Sequence, residues 1–174
     1  MYNAPRAASI QARTNSILWA LDRETFNNIV KEAARKKRDK YQDFLKKVDI
    51  LAEIDAYELS QIADALKVSN FKAGDYIINE GERGDVFYIV LHGDLVATKT
   101  KESGKPPVEV LKYSEGSYFG ELALLKGVAR QANVVAVSDV TLASLDRSSF
   151  KRLLGPLEDI LARNSDKYVT FLEG

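Results

Sequence analysis

The chain has 174 residues, 45% hydrophobic and 9% aromatic, with 25 Lys+Arg set against 25 Asp+Glu. That length holds one domain of ordinary size plus an extension, and the zero net charge argues against a nucleic-acid-binding body. There is no cysteine and one histidine, His92, which excludes a disulfide framework, a thiolate metal site and a histidine-clustered metal centre. No apolar run approaches the roughly 20 residues of a membrane span, and the N-terminus lacks a signal-peptide layout.

In chain order, residues 7–21 read as two extended strands. Asp22 then suits an N-cap, with Thr25 and Phe26 opening a helix. Phe26, Ile29, Val30 and Ala33 recur at helical spacing, and no Gly or Pro interrupts Arg23 to Lys47, so the helix can run on to Val48. Its stretch from Lys31 to Lys47 contains eight Lys or Arg among acids, either a solvated face or a docking face. Asp55 caps a second helix, on which Leu59, Ile62, Ala63 and Leu66 share an apolar face.

From Val68 the period becomes alternating. Tyr76–Ile78, Val86–Leu91, Leu95–Lys99 and Val108–Leu111 read as strands, with His92-Gly93-Asp94 as a hairpin turn and 102–107 as a polar loop. Ala132–Val137 and Val140–Leu145 close the β section. Ser148 suits the cap of a helix ending near Leu154-Gly155-Pro156, and Leu157–Phe171 reads as a final helix.

The most informative stretch is Phe119-Gly120-Glu121-Leu122-Ala123-Leu124-Leu125, followed by Ala129-Arg130-Gln131-Ala132-Asn133-Val134-Val135-Ala136. A glycine lets backbone N–H groups approach a ligand, and the start of a helical turn suits an anion. Arg130 adds a planar, permanently charged fork for phosphate oxygens. Glu121 can accept from sugar hydroxyls. These residues describe a pocket for one phosphate and one ribose.

The chain also repeats itself. Setting Arg6 on Arg130 gives an offset of 124 (130 − 6), and Ala8, Ala12, Leu18, Leu21-Asp22-Arg23 and Phe26 then meet Ala132, Ala136, Leu142, Leu145-Asp146-Arg147 and Phe150. Met1 meets Leu125, so the first copy has Arg6 but no Gly-Glu. The expectation is a tail of one domain (1–21), a connecting helix (22–48) and a complete second domain (49–174) from a longer chain. Arg6-Ala7-Ala8-Ser9 also matches a basic-directed kinase motif, but the longer repeat favours a strand.

The run Phe-Gly-Glu-Leu-Ala-Leu-Leu, the Arg-x-Ala and the closing Val-Val-Ala resemble the phosphate-binding cassette of cyclic-nucleotide-binding domains. Within that family the chain is most similar to regulatory subunits of cAMP-dependent protein kinase. Leu18 to Arg23, Ile62 to Leu66, Glu80 to Ile89 and Leu153 to Pro156 look like further landmarks. The resemblance implies an α+β fold, a jelly-roll-like β-barrel flanked by N- and C-terminal helices. It implies cAMP as regulatory ligand, without metal, held by Gly120, Glu121, Leu122, Ala123, Arg130, Gln131 and Ala132. Arg130 would pair with the exocyclic phosphate oxygens and Glu121 would accept from the ribose 2′-hydroxyl.

Tyr168 stands where the family stacks an aromatic on the base, the alternative being that its ring packs against the barrel. Tyr57 and Arg38 stand where the family serves the first domain's site. Gln131 departs from the alanine usual in cAMP-selective members, and without the threonine of cGMP-selective ones the site reads as one for cAMP. A cGMP-dependent kinase region and a nucleoside-binding relative are the alternatives. The resemblance also implies a kinase catalytic subunit as partner, dimerisation through a region upstream, a cytoplasmic location and no catalytic activity. No nucleophile–base pairing is visible in the sequence.

Overall fold

The computed structural model describes residues 7–52, 54–100 and 106–173, with side chains as far as Ser165. The chain divides into two compact units, 1–33 and 34–174.

In the first unit, residues 7–22 form neither helix nor strand, and Ile10, Ile17, Leu18 and Trp19 are exposed. The two strands expected over 7–21 are therefore not present. A strand needs a neighbour to take its N–H and C=O groups. In the second copy of the repeat those neighbours exist; for 7–21 none occurs among the described residues. Asp22 does cap α1 (Arg23–Leu45): its carboxylate accepts from the Thr25 backbone N–H at 2.9 Å and from the Thr25 hydroxyl at 2.6 Å. The helix stops at Leu45, and a turn leads to a 3-10 segment at Asp49–Leu51.

The second unit continues with α2 (Ala56–Ala65), capped by Asp55, whose carboxylate accepts from the amides of Tyr57 and Glu58. Eight strands follow: β1 (Lys67–Phe71), β2 (Tyr76–Ile78), β3 (Val86–His92), β4 (Leu95–Lys99), β5 (Val108–Tyr113), β6 (Tyr118–Phe119), β7 (Asn133–Ala136) and β8 (Val140–Asp146). They form two antiparallel four-stranded sheets, β1-β8-β3-β6 and β2-β7-β4-β5. Register runs Val86↔Asp146 to Ile89↔Ala143 in one sheet and Leu95↔Ala136 to Thr98↔Asn133 in the other. This is the expected jelly-roll-like α+β arrangement. Most of the loop 102–107 lies outside the described residues.

Alternation along β3 and β8 divides the core. Phe87, Ile89, Ala143 and Leu145 face the helices, joining Leu45, Leu51, Ile62, Phe150, Leu154 and Leu161. Val90, Val140 and Leu142 face the other sheet and meet Leu95, Ala97, Phe119 and Val134. Three further helices complete the unit: α3 (Glu121–Lys126), α4 (Arg147–Leu154) and α5 (Glu158–Glu173). The cap of α4 is Asp146, which accepts from Ser149 N–H at 2.9 Å; Ser148, expected there, donates its hydroxyl to the same carboxylate. The carboxylate is a full acceptor and sits one position before the helix, where a cap must be.

Candidate functional site

Between β6 and β7 the chain leaves the sheets, makes the short helix α3 and returns through Arg130. Gly120 sits at φ 89°, the left-handed region, and no side chain caps α3. A Cβ at Gly120 would stand 2.6 Å from Arg130 Nη1 and 3.0 Å from the Val86 carbonyl oxygen. Glycine is required here by conformation and by space together.

Arg130 is held at both backbone and side chain. Its N–H donates to Glu82 O and its carbonyl accepts from Gly81 N–H, each at 2.8 Å. Nη1 donates to Gly120 O at 2.8 Å and Nη2 to Val86 O at 2.7 Å. The residue is 8% exposed, and burial lowers its pKa. A guanidinium has five N–H donors, and three of them have no hydrogen-bond partner among the described residues.

Glu121 opens α3 and is 1% exposed, and its Oε1 has no hydrogen-bond partner among the described residues. Burial pushes its carboxyl up to about 7; a bond from its own backbone N–H and the Arg130 charge pull the other way and do not prevail. No ion pair joins the two residues among those described. A buried, under-satisfied acceptor beside a cation with spare donors is costly for a fold and useful for a ligand.

Both groups line one cleft of about 540 Å³ of empty space. Leu122, Ala123 and Ala132 line it with them, and Val110 and Val134 supply apolar wall. Gln131 also borders it, but the residue is exposed and its Nε2 turns back to donate to Ala129 O at 2.8 Å. On the floor Phe119 stacks on Tyr88, with centroids 5.1 Å apart, and meets Tyr113 at the same separation. Tyr168 belongs to α5, but its side chain lies outside the described ones, as does Arg6.

Arg38 forks onto Asp64 of α2, with Nε–Oδ1 at 2.9 Å and Nη2–Oδ2 at 2.8 Å. Tyr57 is 72% exposed. No group of three or more His, Cys, Asp or Glu that could hold a metal occurs among the described residues.

Two supports of the site escaped the sequence reading. Gly84 lies where a Cβ would overlap the Arg130 guanidinium and the Ala123 side chain. Arg147 binds Asp85 (Nε–Oδ1 2.7 Å) and donates to the carbonyls of Gly84 at 2.9 Å and of Ala123 and Leu124 at 3.3 Å. It thereby ties the end of α3 to the turn before β3. Asp85 is held below the usual carboxylate range, first by the Arg147 hydrogen bond and then by the Arg83 charge. The available signal was the repeat, which places Arg23 and Arg147 at matching positions.

The model for the cyclic nucleotide-binding domain matches residues 68–155. A cAMP-dependent protein kinase regulatory subunit from Hypocrea atroviridis is 47% identical over 164 residues, which are 94% of this chain and 34% of that protein. The chain therefore spans about a third of the length of that relative. The regulatory domain of Toxoplasma gondii PKA, crystallised with cAMP, is 52% identical with a TM-score of 0.78, over 85% of this chain and 57% of that one. A structure of Sp-2Cl-cAMPS bound to PKAR CBD2 is 45% identical with a TM-score of 0.73, over 80% of this chain and 92% of that one.

Proposed function

This chain belongs to the cyclic nucleotide-binding domain family, and from that premise we propose that it is a cAMP-binding regulatory module of a cAMP-dependent protein kinase. The observation that carries the reading is the pairing within one cleft of the unpartnered Glu121 Oε1 and the three spare Arg130 donors.

The ligand is a cyclic phosphodiester with one negative charge. Arg130 takes its exocyclic oxygens while still gripping Gly120 O and Val86 O. The amides at the start of α3 and that of Ala132 complete the cradle. Glu121 accepts from the ribose 2′-hydroxyl, and the apolar walls receive the base. Tyr168, carried on α5, covers the base. Gln131, folded onto Ala129, leaves the base without a threonine-type contact, which favours cAMP over cGMP.

Residues 49–174 are a complete second cyclic-nucleotide domain, 22–48 its connector and 1–21 the end of a first such domain. The repeat supports this division, as does the likeness to the structure of PKAR CBD2, over 92% of that chain. Ligand binding shifts the packing of the helices on the barrel and so releases a kinase catalytic subunit in the cytoplasm, without catalysis by this chain. The parent chain dimerises through a region outside this sequence.

Calorimetry with cAMP, cGMP and adenosine tests the reading. One cAMP per chain, bound more tightly than the other two, is the expected result. A stoichiometry near two, or preference for adenosine, sinks it.

A further inference from the structure

The cleft is bordered by a second polar group, half-buried, besides Glu121 and Arg130. Tyr113, the last residue of β5, lines the same cleft as Glu121. Its ring packs on Phe119 with planes at 38°, and Phe119 is held in turn by Tyr88. These contacts fix the ring and leave the hydroxyl as the part that needs a polar partner. None of the hydrogen bonds among the described residues involves that hydroxyl. Burial, and after it the Glu121 charge, raise its pKa, so the phenol keeps its proton and remains a donor. Tyr118, the other phenol that feels the Glu121 charge, is already bonded by Asn164 Nδ2 of α5 at 3.2 Å.

An ionised Glu121 is an acceptor only, and the Tyr113 phenol has a proton to give. A ligand atom that satisfies both must donate and accept at once. A hydroxyl does this; an ether oxygen or a C–H does not. We infer that Tyr113 is a specificity-determining residue of this site, its O–H donating to the same ligand hydroxyl that donates to the buried Glu121 carboxylate. The inference rests on the cyclic-nucleotide reading, in which that hydroxyl is the ribose 2′-OH. It adds a second determinant of ribose recognition on β5, outside the α3 segment. A 2′-deoxy ligand leaves both groups unmet.

The test is calorimetry of the wild-type chain and Tyr113→Phe with cAMP and 2′-deoxy-cAMP. Phenylalanine keeps the ring against Phe119 and removes one donor. For cAMP the variant is expected to lose about fivefold to tenfold in affinity, the range of one uncharged hydrogen bond. For 2′-deoxy-cAMP the two proteins are expected to agree within about twofold, since no 2′ oxygen is there to accept. Equal weakening of both ligands would show that Tyr113 only supports the wall, and unchanged cAMP affinity would place its hydroxyl elsewhere; either result overturns the inference. If the wild-type chain binds 2′-deoxy-cAMP as tightly as cAMP, the inference also fails. If it binds neither, the cyclic-nucleotide reading itself has failed.

Discussion

Gly120 and Arg130 are built around one another. The arginine Nη1 donates to the Gly120 carbonyl at 2.8 Å, and a Cβ on that glycine would come within 2.6 Å of the same nitrogen. The left-handed φ of 89° adds strain for any other residue.

Gly120→Ala is therefore expected to displace the guanidinium. A residue forced into a sparse backbone region costs about 1–3 kcal/mol. The loss of cAMP affinity should exceed tenfold, roughly 1.4 kcal/mol, because the phosphate contact moves as well. Calorimetry beside a denaturant melt separates the two effects. Wild-type affinity in the alanine variant would show that the phosphate does not use this arginine.

Arg130→Lys preserves the charge and removes the fork. An ammonium cannot span Gly120 O, Val86 O and a phosphate together. Truncating one partner of a desolvated pair costs about 2–5 kcal/mol of affinity. Arg6→Lys, in the matching position of the repeat, is the control and should leave affinity unchanged. A reversed ranking of the two variants would put the site in the wrong copy.

Glu121 is expected to make stability and, on the proposed reading, affinity depend on pH. Its carboxyl lies at about 7 instead of 4.5 because it is buried. The protonated form is thus favoured by folding. That contribution is complete below the unfolded value and is lost as pH rises through about 7, on the order of 3 kcal/mol in all. Affinity for cAMP is expected to move the opposite way, because the proposed contact has the ribose hydroxyl donating to the ionised form. Denaturant melts and calorimetry across this range should show the unliganded chain weakening while cAMP binding tightens. Glu121→Gln should flatten both trends. If the glutamine variant keeps the wild-type profile, another group titrates.

Arg147→Lys tests a support that does not face the cleft. It exchanges a fork that holds Asp85 and three carbonyls for one ammonium. The expected destabilisation is about 1–3 kcal/mol, read by denaturant melts. Amide exchange in α3 should speed up before exchange in β8 does, because the arginine secures the helix end. Uniform acceleration through the barrel would instead mark Arg147 as part of the general core support.

Tyr168→Ala bears on the proposed lid. If the ring stacks on the base, its removal costs about 1–3 kcal/mol and raises the dissociation rate more than it slows association. A base-less ribose 3′,5′-cyclic phosphate should be nearly indifferent to the change. Stopped-flow displacement with both ligands gives the answer. Equal losses would assign the tyrosine to support of the fold.

Much of this architecture was legible because the physics is local. Asp22 and Asp55 announce helices by the amides they accept from. Leu59, Ile62 and Ala63 show their shared face by spacing, and β3 and β8 show theirs by alternation. Gly120, Glu121 and Arg130 were legible as a set, and the fold does bring them to one cleft.

What failed was the part that depends on distant neighbours. Residues 7–21 carry strand-like apolar residues, but a strand is a property of a pair. β6 has two residues, Tyr118 and Phe119, too few for a period; it exists because Tyr88 and Ile89 of β3 lie opposite. Gly84 and Arg147 act across 46 and 17 residues of sequence from Arg130, and no spacing rule connects them. Ser148 was read as a cap from residue type alone, with the stronger acceptor two positions earlier.

Helix α3 begins after Gly120 at φ 89° and ends before Gly127 at φ 65°, both left-handed. Its six residues are bounded on both sides by these glycines. The same helix packs on α5, so Glu121 at the cleft and the C-terminal helix are joined through one short element. The peptide that connects the cleft to that helix is thus less than two helical turns long.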